Sequence, residues 1–420
     1  MLRKHVVQLL TLLLLSAAVP AWGQPKPKDR EEFDLFNTVL KETDAKKKLQ
    51  LLDSWKQKYP QTELEEQRQK FYMQAHQQDG QPAKAVEAAK EVLKLVANDF
   101  SANFMIASLV PFMGSADAKV LADGEAAAHG LQKAEKPPNV TDADWSKARA
   151  EAQFIAHQVL GWVAMQQKKN DAAEQEFLKA LELKPATALI SYWLGTVVQA
   201  QRNPEKSTLA LFSFARAASY SGPGALAPAG RQQMESFLSK AYASFHGPDP
   251  AGFDELKKLA AASPLPPAGF RIKSKDEIKV EQEEELRKKD PVLAFFITVK
   301  QRLNEEGDTF WQSMKGTAMP KLKGTVLTAT PPLKPKTLTL AMTQSTEAEV
   351  TLTLETPLPR KLDAGTAIEF EGAEPTEFTK EPFMVKMQGG KITAGLPEPP
   401  KPAPKAPGKA GAKTKKAAKK

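Results

Sequence analysis

Cysteine is absent from the 420 residues of this chain, and histidine occurs only five times. Without cysteine there can be no disulfide bond, no thiolate metal site, no cysteine nucleophile and no lipid-modified cysteine after a leader peptide. The histidines beyond the N-terminal segment, at positions 76, 129, 157 and 246, are not paired at the spacings typical of metal ligands. These absences leave few routes to metal or covalent chemistry.

Motifs of common active sites are also missing. The chain contains no HExxH, GxSxG, GxGxxG or GxxxxGK(S/T) segment. We therefore predict no catalytic residue, no cofactor and no metal, and we expect the protein not to be an enzyme. A catalytic site assembled from distant residues is the alternative that the sequence leaves open.

Long apolar runs are absent except near the N-terminus, where Arg3 and Lys4 precede a run from Val6 to Val19. A proline and small residues follow, which is typical of a secretory signal peptide cleaved after Gly23. Export to the bacterial periplasm or cell envelope is the resulting prediction. Retention of the run as a membrane anchor is the alternative.

Positive and negative charges balance each other over most of the chain, although the net charge is +9. The excess lies in the N-terminal segment and in the tail 394–420, so residues 24–393 are neutral. The tail carries eight lysines, Lys401, Lys405, Lys409, Lys413, Lys415, Lys416, Lys419 and Lys420. Its Lys-, Pro- and Ala-rich composition predicts disorder.

A basic tail of this kind predicts binding to polyanions through counterion release, without sequence-specific nucleic-acid recognition. In an exported protein the candidate partners are anionic envelope polymers or lipid headgroups. The alternative is a solubilising end without a dedicated partner.

The stretch 157–185 places its apolar and small residues on the pattern of a helical hairpin. Leu160 and Gly161 lie midway along a first helix, a polar turn spans 169–171, and a second helix ends before Pro185. Along the second helix, Ala173, Phe177 and Ala180 recur at helical spacing. These spacings resemble the tetratricopeptide repeat (TPR), in which stacked hairpins bury a shared stripe.

A second hairpin is predicted because Leu194 and Gly195 follow the first Leu-Gly pair by thirty-four residues. A turn at Asn203-Pro204 and the helical segment STLALFSFARAAS follow. At a strict period of thirty-four, Ser207 and Phe214 stand where the repeat usually has alanine, so a degenerate unit is predicted. An unrelated pair of helical hairpins is the alternative.

Stacked hairpins bind partners along a concave face, which the first helix of each hairpin lines. Units at 154–187 and 188–221 place seven residues on or near that face: Gln158, Trp162, Met165, Gln166, Tyr192, Thr196 and Gln199. They predict an amphipathic, near-neutral groove for a peptide or partner segment. The alternative is that Trp162 and Tyr192 pack against a neighbouring helix.

From Leu322 the apolar period changes from helical spacing to two. Five short strands are predicted, GTVLTA, KTLTLAM, AEVTLTLE, TAIEFEG and PFMVKM, and their inward side chains are Leu338, Leu340, Met342, Val350, Leu352, Leu354, Ile368 and Phe370. This order resembles a small OB-like barrel.

The predicted organisation has seven parts. They are a signal peptide at 1–23, a spacer at 24–30, divergent repeat-like helices at 31–152, repeats with a capping helix at 153–246, a helical connector at 247–315, a small β-domain at 316–393 and a disordered tail at 394–420. The connector includes one long charged helix that becomes apolar after Pro291. The fold class is thus mostly α, with a small C-terminal all-β module.

Taken together, the signal, the repeat helices, the runs FARAASYSGPGALAPAGR and PPAGFRIKS, the β-module and the tail resemble an exported TPR family common in acidobacteria. The specific motif covers residues 154–221. The resemblance implies a helical-repeat fold and contact with proteins, which predicts a scaffold for protein–protein interaction in the envelope. A polyanion- or nucleic-acid-binding protein acting through the tail and β-module is the alternative.

Overall fold

A computed structural model describes residues 26–137, 140–343 and 345–397. The predicted signal peptide and the eight lysines of the tail lie outside these residues. The chain divides into two compact units, Met1–Lys275 and Asp276–Lys420. Each has its own hydrophobic core.

The described part of the first unit forms twelve α-helices. Their bounds are α1 Arg30–Lys41, α2 Ala45–Lys58, α3 Glu65–Gln78, α4 Pro82–Leu95, α5 Phe100–Leu109, α6 Ala118–Lys133, α7 Asp142–Gln166, α8 Asn170–Leu183, α9 Ala188–Ala200, α10 Ser207–Ser219, α11 Pro228–Phe245 and α12 Pro250–Ala262. Each helix from α1 to α10 packs against the next one in the chain, and α7 also contacts α5 and α9. The predicted stack of helical hairpins is confirmed, and the unit has a TPR-like fold.

Three hairpin turns share one backbone conformation. The residue that follows the C-cap of the first helix is left-handed in each, with φ of 74° at Gly80, 59° at Lys168 and 53° at Arg202. The amide of Lys168 donates to the carbonyl of Met165 (3.0 Å) and the next amide, of Lys169, to that of Ala164 (2.9 Å). These are the two bonds of a Schellman cap. Glycine adopts this conformation freely, whereas Lys168 and Arg202 do so at a cost of about 1 kcal/mol each.

A glycine–phenylalanine contact holds together each of the two central hairpins. A Cβ atom built on Gly161 would lie 2.6 Å from the ring of Phe177, and one on Gly195 would lie 2.8 Å from the ring of Phe214. Only glycine lets the ring lie against the backbone of the first helix at this distance. In α3–α4 the sizes are exchanged, because Met73 and Ala89, both fully buried, occupy the corresponding positions.

The prediction that the second repeat is degenerate is wrong. Its turn contains an additional 3-10 segment, Pro204–Lys206, which shifts α10 by three residues relative to a strict repeat. The residues Ala210, Phe214 and Ala217 therefore take the places of Ala173, Phe177 and Ala180, and all six are buried. The repeat pattern is intact and carries an insertion.

Two helices cover the last hairpin: α11, which was predicted as a cap, and α12 both pack on α10. Arg216 of α10 is buried among them. Its guanidinium donates to the carbonyls of Ala260 (3.0 Å), Ala261 (2.6 Å) and Pro185 (3.2 Å). One side chain thus joins the end of α12 and the segment before α9 to α10, and burial lowers the pKa of this arginine.

The stretch 247–315, predicted as a helical connector, contributes to both cores. Leu256 and Ala260 of α12 are fully buried in the first core, together with Ile272. The remaining helices are α13 Lys275–Lys289, α14 Pro291–Glu306 and α15 Asp308–Met314. The predicted single charged helix is two helices, because Asp290 caps α14 by accepting a bond from the amide of Leu293 and Pro291 occupies its first turn.

The second unit contains a closed ring of strands. Its described strands are β1 Leu322–Thr330, β2 Thr337–Ala341, β3 Val350–Leu354, β4 Ala367–Glu371, β5 Glu374–Thr379 and β6 Met384–Ala394. The order is β3-β2-β1-β4-β6-β5, and parallel pairing of β3 with β6 closes a five-membered ring to which β5 adds through β6. The sequence-based prediction missed β5, which contains Pro375 and mostly polar residues.

The barrel interior is apolar, and all eight side chains predicted to point inward are buried. One carboxylate, that of Glu349, is also buried. It accepts bonds from Lys300 of α14 (2.6 Å) and from the amides of Met342 (2.9 Å) and Thr343 (2.7 Å). Burial acts to raise the pKa of Glu349, but these bonds outweigh it and hold the pKa below its usual value. The carboxylate thereby links α14 to the strands.

Candidate functional site

The seven residues predicted to line a groove differ widely in exposure. Gln158 and Trp162 are buried, Met165, Tyr192 and Thr196 are half-buried, and Gln166 and Gln199 are exposed. The helix α7 that carries the first four contacts α5, α6, α8 and α9, and most of its buried residues lie between 152 and 164. Trp162 is 6% exposed and belongs to the first hydrophobic core, so little of its side chain faces solvent.

One of the seven, Gln199, lines a cleft of about 430 Å³. The cleft lies between the end of α9, the lengthened turn, α10 and the C-terminal half of α11; we call it the α9–α11 cleft. Its lining residues are Val198, Gln199, Arg202, Asn203, Pro204, Ser207, Ala210, Leu211, Phe214, Ala241, Ser244 and Phe245. The inserted turn provides one wall, so the feature that shifts the repeat also opens the cleft.

The cleft has an apolar floor and a polar edge. Val198, Ala210, Leu211 and Phe214 are buried and form the floor. Of the described residues that line the cleft, Arg202 alone carries a charge, and it is exposed. The backbone of Arg202 has the left-handed turn conformation, and the residue lines the cleft.

A polar contact between repeats fixes the lengthened turn. Glu174 of α8 accepts bonds from Gln201 Nε2 (2.5 Å) and Lys206 Nζ (2.7 Å). The hydrogen bond with Glu174 raises the pKa of Lys206, so this lysine stays charged and engaged. The wall of the cleft is thus attached to the preceding hairpin rather than free to fold inward.

The lining of the cleft is mostly apolar with a few polar groups. Pockets that hold ligands are concave and mostly apolar, with a few placed polar groups, and this cleft has that composition. Within the described ranges, no cluster of His, Asp and Glu could hold a metal ion, and no helix has the length and apolar character needed to cross a bilayer.

Sequence reasoning missed most of the cleft. Arg202 and Phe245 lie in a turn and at the end of a helix that was predicted as a cap, and neither belongs to the repeat signature. The signal that could have located the cleft is the sequence Arg202-Asn203-Pro204-Glu205-Lys206, which makes this turn three residues longer than the preceding one. A fixed period of thirty-four residues conceals that difference.

No family model and no curated protein sequence matches this chain. Among solved structures, a double mutant titled MamA RS-1 ArsTM is similar, with 15% identity over 50% of this chain and 97% of that chain, at a TM-score of 0.33. A thermophilic TPR protein of Thermus thermophilus is similar with 15% identity over 50% of this chain and 95% of that chain, at a TM-score of 0.26. At such low scores, the TPR-like assignment depends on the helix pairing and the Gly–Phe contacts of this chain.

Proposed function

We propose that the protein is an exported, non-catalytic scaffold of the bacterial cell envelope, and that its TPR-like unit binds a segment of a partner protein in the α9–α11 cleft. The observation that carries the proposal is the cleft itself, whose apolar floor includes two positions of the repeat signature and whose wall is an insertion. The lengthened turn is also bonded to Glu174 of the preceding repeat. This bond would not be needed if the turn served only to connect α9 to α10.

The chemistry of the lining defines the partner segment. A large apolar side chain can occupy the part of the cleft between Leu211, Phe214 and Phe245, because these side chains are apolar and border the open volume. An acidic residue beside that anchor would meet Arg202, the charged member of the lining. The proposed ligand is therefore a peptide segment with an aromatic or aliphatic anchor next to a carboxylate.

The test is selection from a random peptide library by the chain beginning at Gln24, followed by affinity measurement. Selected peptides should combine an apolar anchor with a neighbouring acidic residue. The substitution Arg202→Glu should weaken the best of them about tenfold, equivalent to about 1.4 kcal/mol. The matched control is Lys168→Glu, since Lys168 has the same turn conformation one repeat earlier and does not line the cleft.

A second pair of variants tests the floor. Ser244→Trp should fill the cleft and abolish peptide binding, whereas Ser236→Trp, on an exposed part of the same helix, should leave it intact. Selected peptides that lack acidic residues, or equal losses in both members of each pair, would refute the cleft as the binding site.

Export and tail binding are part of the same proposal. The N-terminal run followed by Gly23 supports secretion, and the eight lysines support electrostatic attachment to anionic envelope polymers or lipid headgroups. N-terminal sequencing should find Gln24 first; recovery of Met1 from a membrane fraction would favour an anchored protein. The five-membered strand ring with mixed pairing supports an OB-like barrel as the finer assignment of the second unit.

A further inference from the structure

Three segments meet at one end of the barrel, and we call their residues, 331–336, 355–366 and 395–397, the loop end. Backbone and side-chain bonds join them. The amide of Leu358 donates to the carbonyl of Pro335 (2.9 Å), and Arg360 Nη1 donates to the carbonyl of Pro397 (3.2 Å). The loop between β1 and β2, the loop between β3 and β4, and the segment after β6 therefore form a continuous surface.

This surface exposes aliphatic side chains. Leu333 is 75% exposed and Leu396 is 45% exposed. Among the described residues of the barrel, these are the large hydrophobic side chains that remain exposed, and both lie at the loop end. Leu333 stands between Pro332 and Lys334, in a loop with three prolines. Its backbone has little freedom to lose when the side chain is buried against a partner.

The loop end is also basic. It carries Lys334, Lys336, Arg360 and Lys361, opposed by Glu355 and Asp363, of which Asp363 pairs with Lys361 at 2.6 Å. The chain leaves the barrel here, and Lys401 follows Pro397 by four residues, a covalent reach of at most about 14 Å. The first of the eight tail lysines thus follows the last residue of the loop end closely in the sequence.

We propose that the loop end binds the surface of an anionic lipid bilayer, with Leu333 inserted among the acyl chains and Lys334 and Lys336 at the headgroups. Cationic residues around an exposed aliphatic side chain match an interface that is negative outside and apolar beneath. Single-stranded nucleic acid is bound by aromatic side chains on which bases stack, and the loop-end segments contain no aromatic residue. This function is separate from peptide binding in the cleft and adds a second contact beside the tail.

The experiment is vesicle co-sedimentation of the chain beginning at Gln24, which keeps every described residue and removes the apolar run Val6–Val19. Binding to phosphatidylcholine vesicles should require added phosphatidylglycerol. Leu333→Gln should weaken binding about tenfold, because the transfer of the leucine side chain out of water is lost. The control Leu40→Gln removes an equally bulky side chain, 53% exposed and next to a lysine, in the first unit, and should have no effect.

Two further measurements separate the loop end from the tail. The double variant Lys334→Gln/Lys336→Gln should bind about 25-fold less at low salt, since each lysine near an anionic surface contributes about fivefold. A chain ending at Pro397 should bind more weakly but should retain the effect of Leu333→Gln. Complete loss of binding on this truncation, or unchanged binding of the leucine variant, would assign the attachment to the tail alone and overturn the proposal.

Insertion can be observed directly because the chain lacks cysteine. An environment-sensitive fluorophore on Leu333→Cys should shift its emission to the blue on anionic vesicles, whereas the same fluorophore on Leu40→Cys should not. A soluble polyanion such as dextran sulfate should produce no shift at either position. Absence of the shift at position 333 on anionic vesicles would contradict insertion, and an equal shift with the soluble polymer would identify a polyanion site instead of a bilayer contact.

Discussion

The hairpins α7–α8 and α9–α10 share a Gly–Phe contact and differ in the turn that joins their helices. In both, a glycine in the first helix accommodates a phenylalanine ring from the second. The turn of α9–α10 is three residues longer, and part of it forms a wall of the α9–α11 cleft. The comparison teaches that a lengthened turn can line a cleft while the Gly–Phe contact of the hairpin is kept.

A second contact between the two helices differs between the hairpins. In α7–α8, His157 Nδ1 lies 2.6 Å from Glu176 Oε2. The corresponding residues of α9–α10 are Ser191 and Ser213, which are fully buried and whose hydroxyls have no partner among the described residues. Because α11 and α12 both cover α10, a charged pair at that place would have to be desolvated.

The largest effects are expected from the shared Gly–Phe contact. Phe177→Ala and Phe214→Ala should each lower the free energy of unfolding of the first unit by about 3–5 kcal/mol, since each leaves a cavity against a glycine. Denaturant unfolding followed by the helical circular dichroism signal measures both. Leu183→Ala, at a side chain 42% exposed, is the control and should change stability by less than about 0.5 kcal/mol. A small effect at Phe214 alone would contradict the correspondence of Phe214 with Phe177.

The second-largest effect distinguishes α10 from α8, which are the second helices of the two hairpins. Arg216→Met should cost about 2–3 kcal/mol, because three carbonyl groups lose a charged donor in a buried place. Lys179 occupies the corresponding position in α8 and is 51% exposed, so Lys179→Met should be nearly neutral. The same denaturant experiment compares them. Equal losses in the two variants would mean that Arg216 does not hold the end of α12 and the segment before α9 to α10.

A feature of this fold is predictable from the sequence when its signal is local. The alternation from Leu338 to Phe370 is a local pattern that one buried face imposes, and it located the barrel interior. The Leu-Gly pairs located both hairpins for the same reason. By contrast, β5 exists through its pairing with β6, and the burial of Trp162 depends on tertiary packing of α7 with other helices.

The same distinction explains the site. Gln199 was predicted because the first helix of a repeat faces the concave side, but the cleft also needs Phe245 from α11 and the inserted turn. Neither follows from the repeat pattern. Their juxtaposition is a property of the packed stack, which the local pattern of a single sequence does not specify.

A smaller effect concerns the shared turn conformation. Lys168→Gly and Arg202→Gly should each raise the free energy of unfolding by about 1 kcal/mol, since glycine adopts a positive φ without a Cβ clash. Gly80→Ala should lower it by a similar amount. Thermal unfolding of the three variants measures the effect. If Arg202→Gly destabilises the fold while Lys168→Gly stabilises it, the arginine side chain has a structural contact beyond its turn.

The smallest effect is a difference in pH dependence. Burial acts to raise the pKa of Glu176, but hydrogen bonds from His157 and Lys179 outweigh it and lower the pKa below 4.5. A carboxyl group with a lowered folded pKa stabilises the fold above its ordinary pKa and loses that contribution as the pH falls through the folded value. Glu176→Ser copies the second hairpin and removes this titrating group. The free energy of unfolding of the variant should therefore fall less than that of the wild type as the pH drops below 4.5, by a difference of less than about 1 kcal/mol.

Stability measured between about pH 3 and 6 on the wild type and Glu176→Ser checks this expectation. Ser213→Ala is a matched control, because it removes a hydroxyl from the corresponding position and introduces no titrating group. Parallel curves for wild type and Glu176→Ser would show that the pair contributes nothing to the acid response.

The connectivity of β6 has a consequence for the order in which the protein is made. This strand pairs with β3, β4 and β5, so the ring cannot close until the chain has been synthesised and released as far as Ala394. Until then β3 presents an open edge that can pair with another chain. The helical hairpins form contacts mainly between helices that are neighbours in the sequence. They can therefore fold before the barrel closes. A nascent chain interrupted before β6 would therefore carry a finished stack and an aggregation-prone remainder.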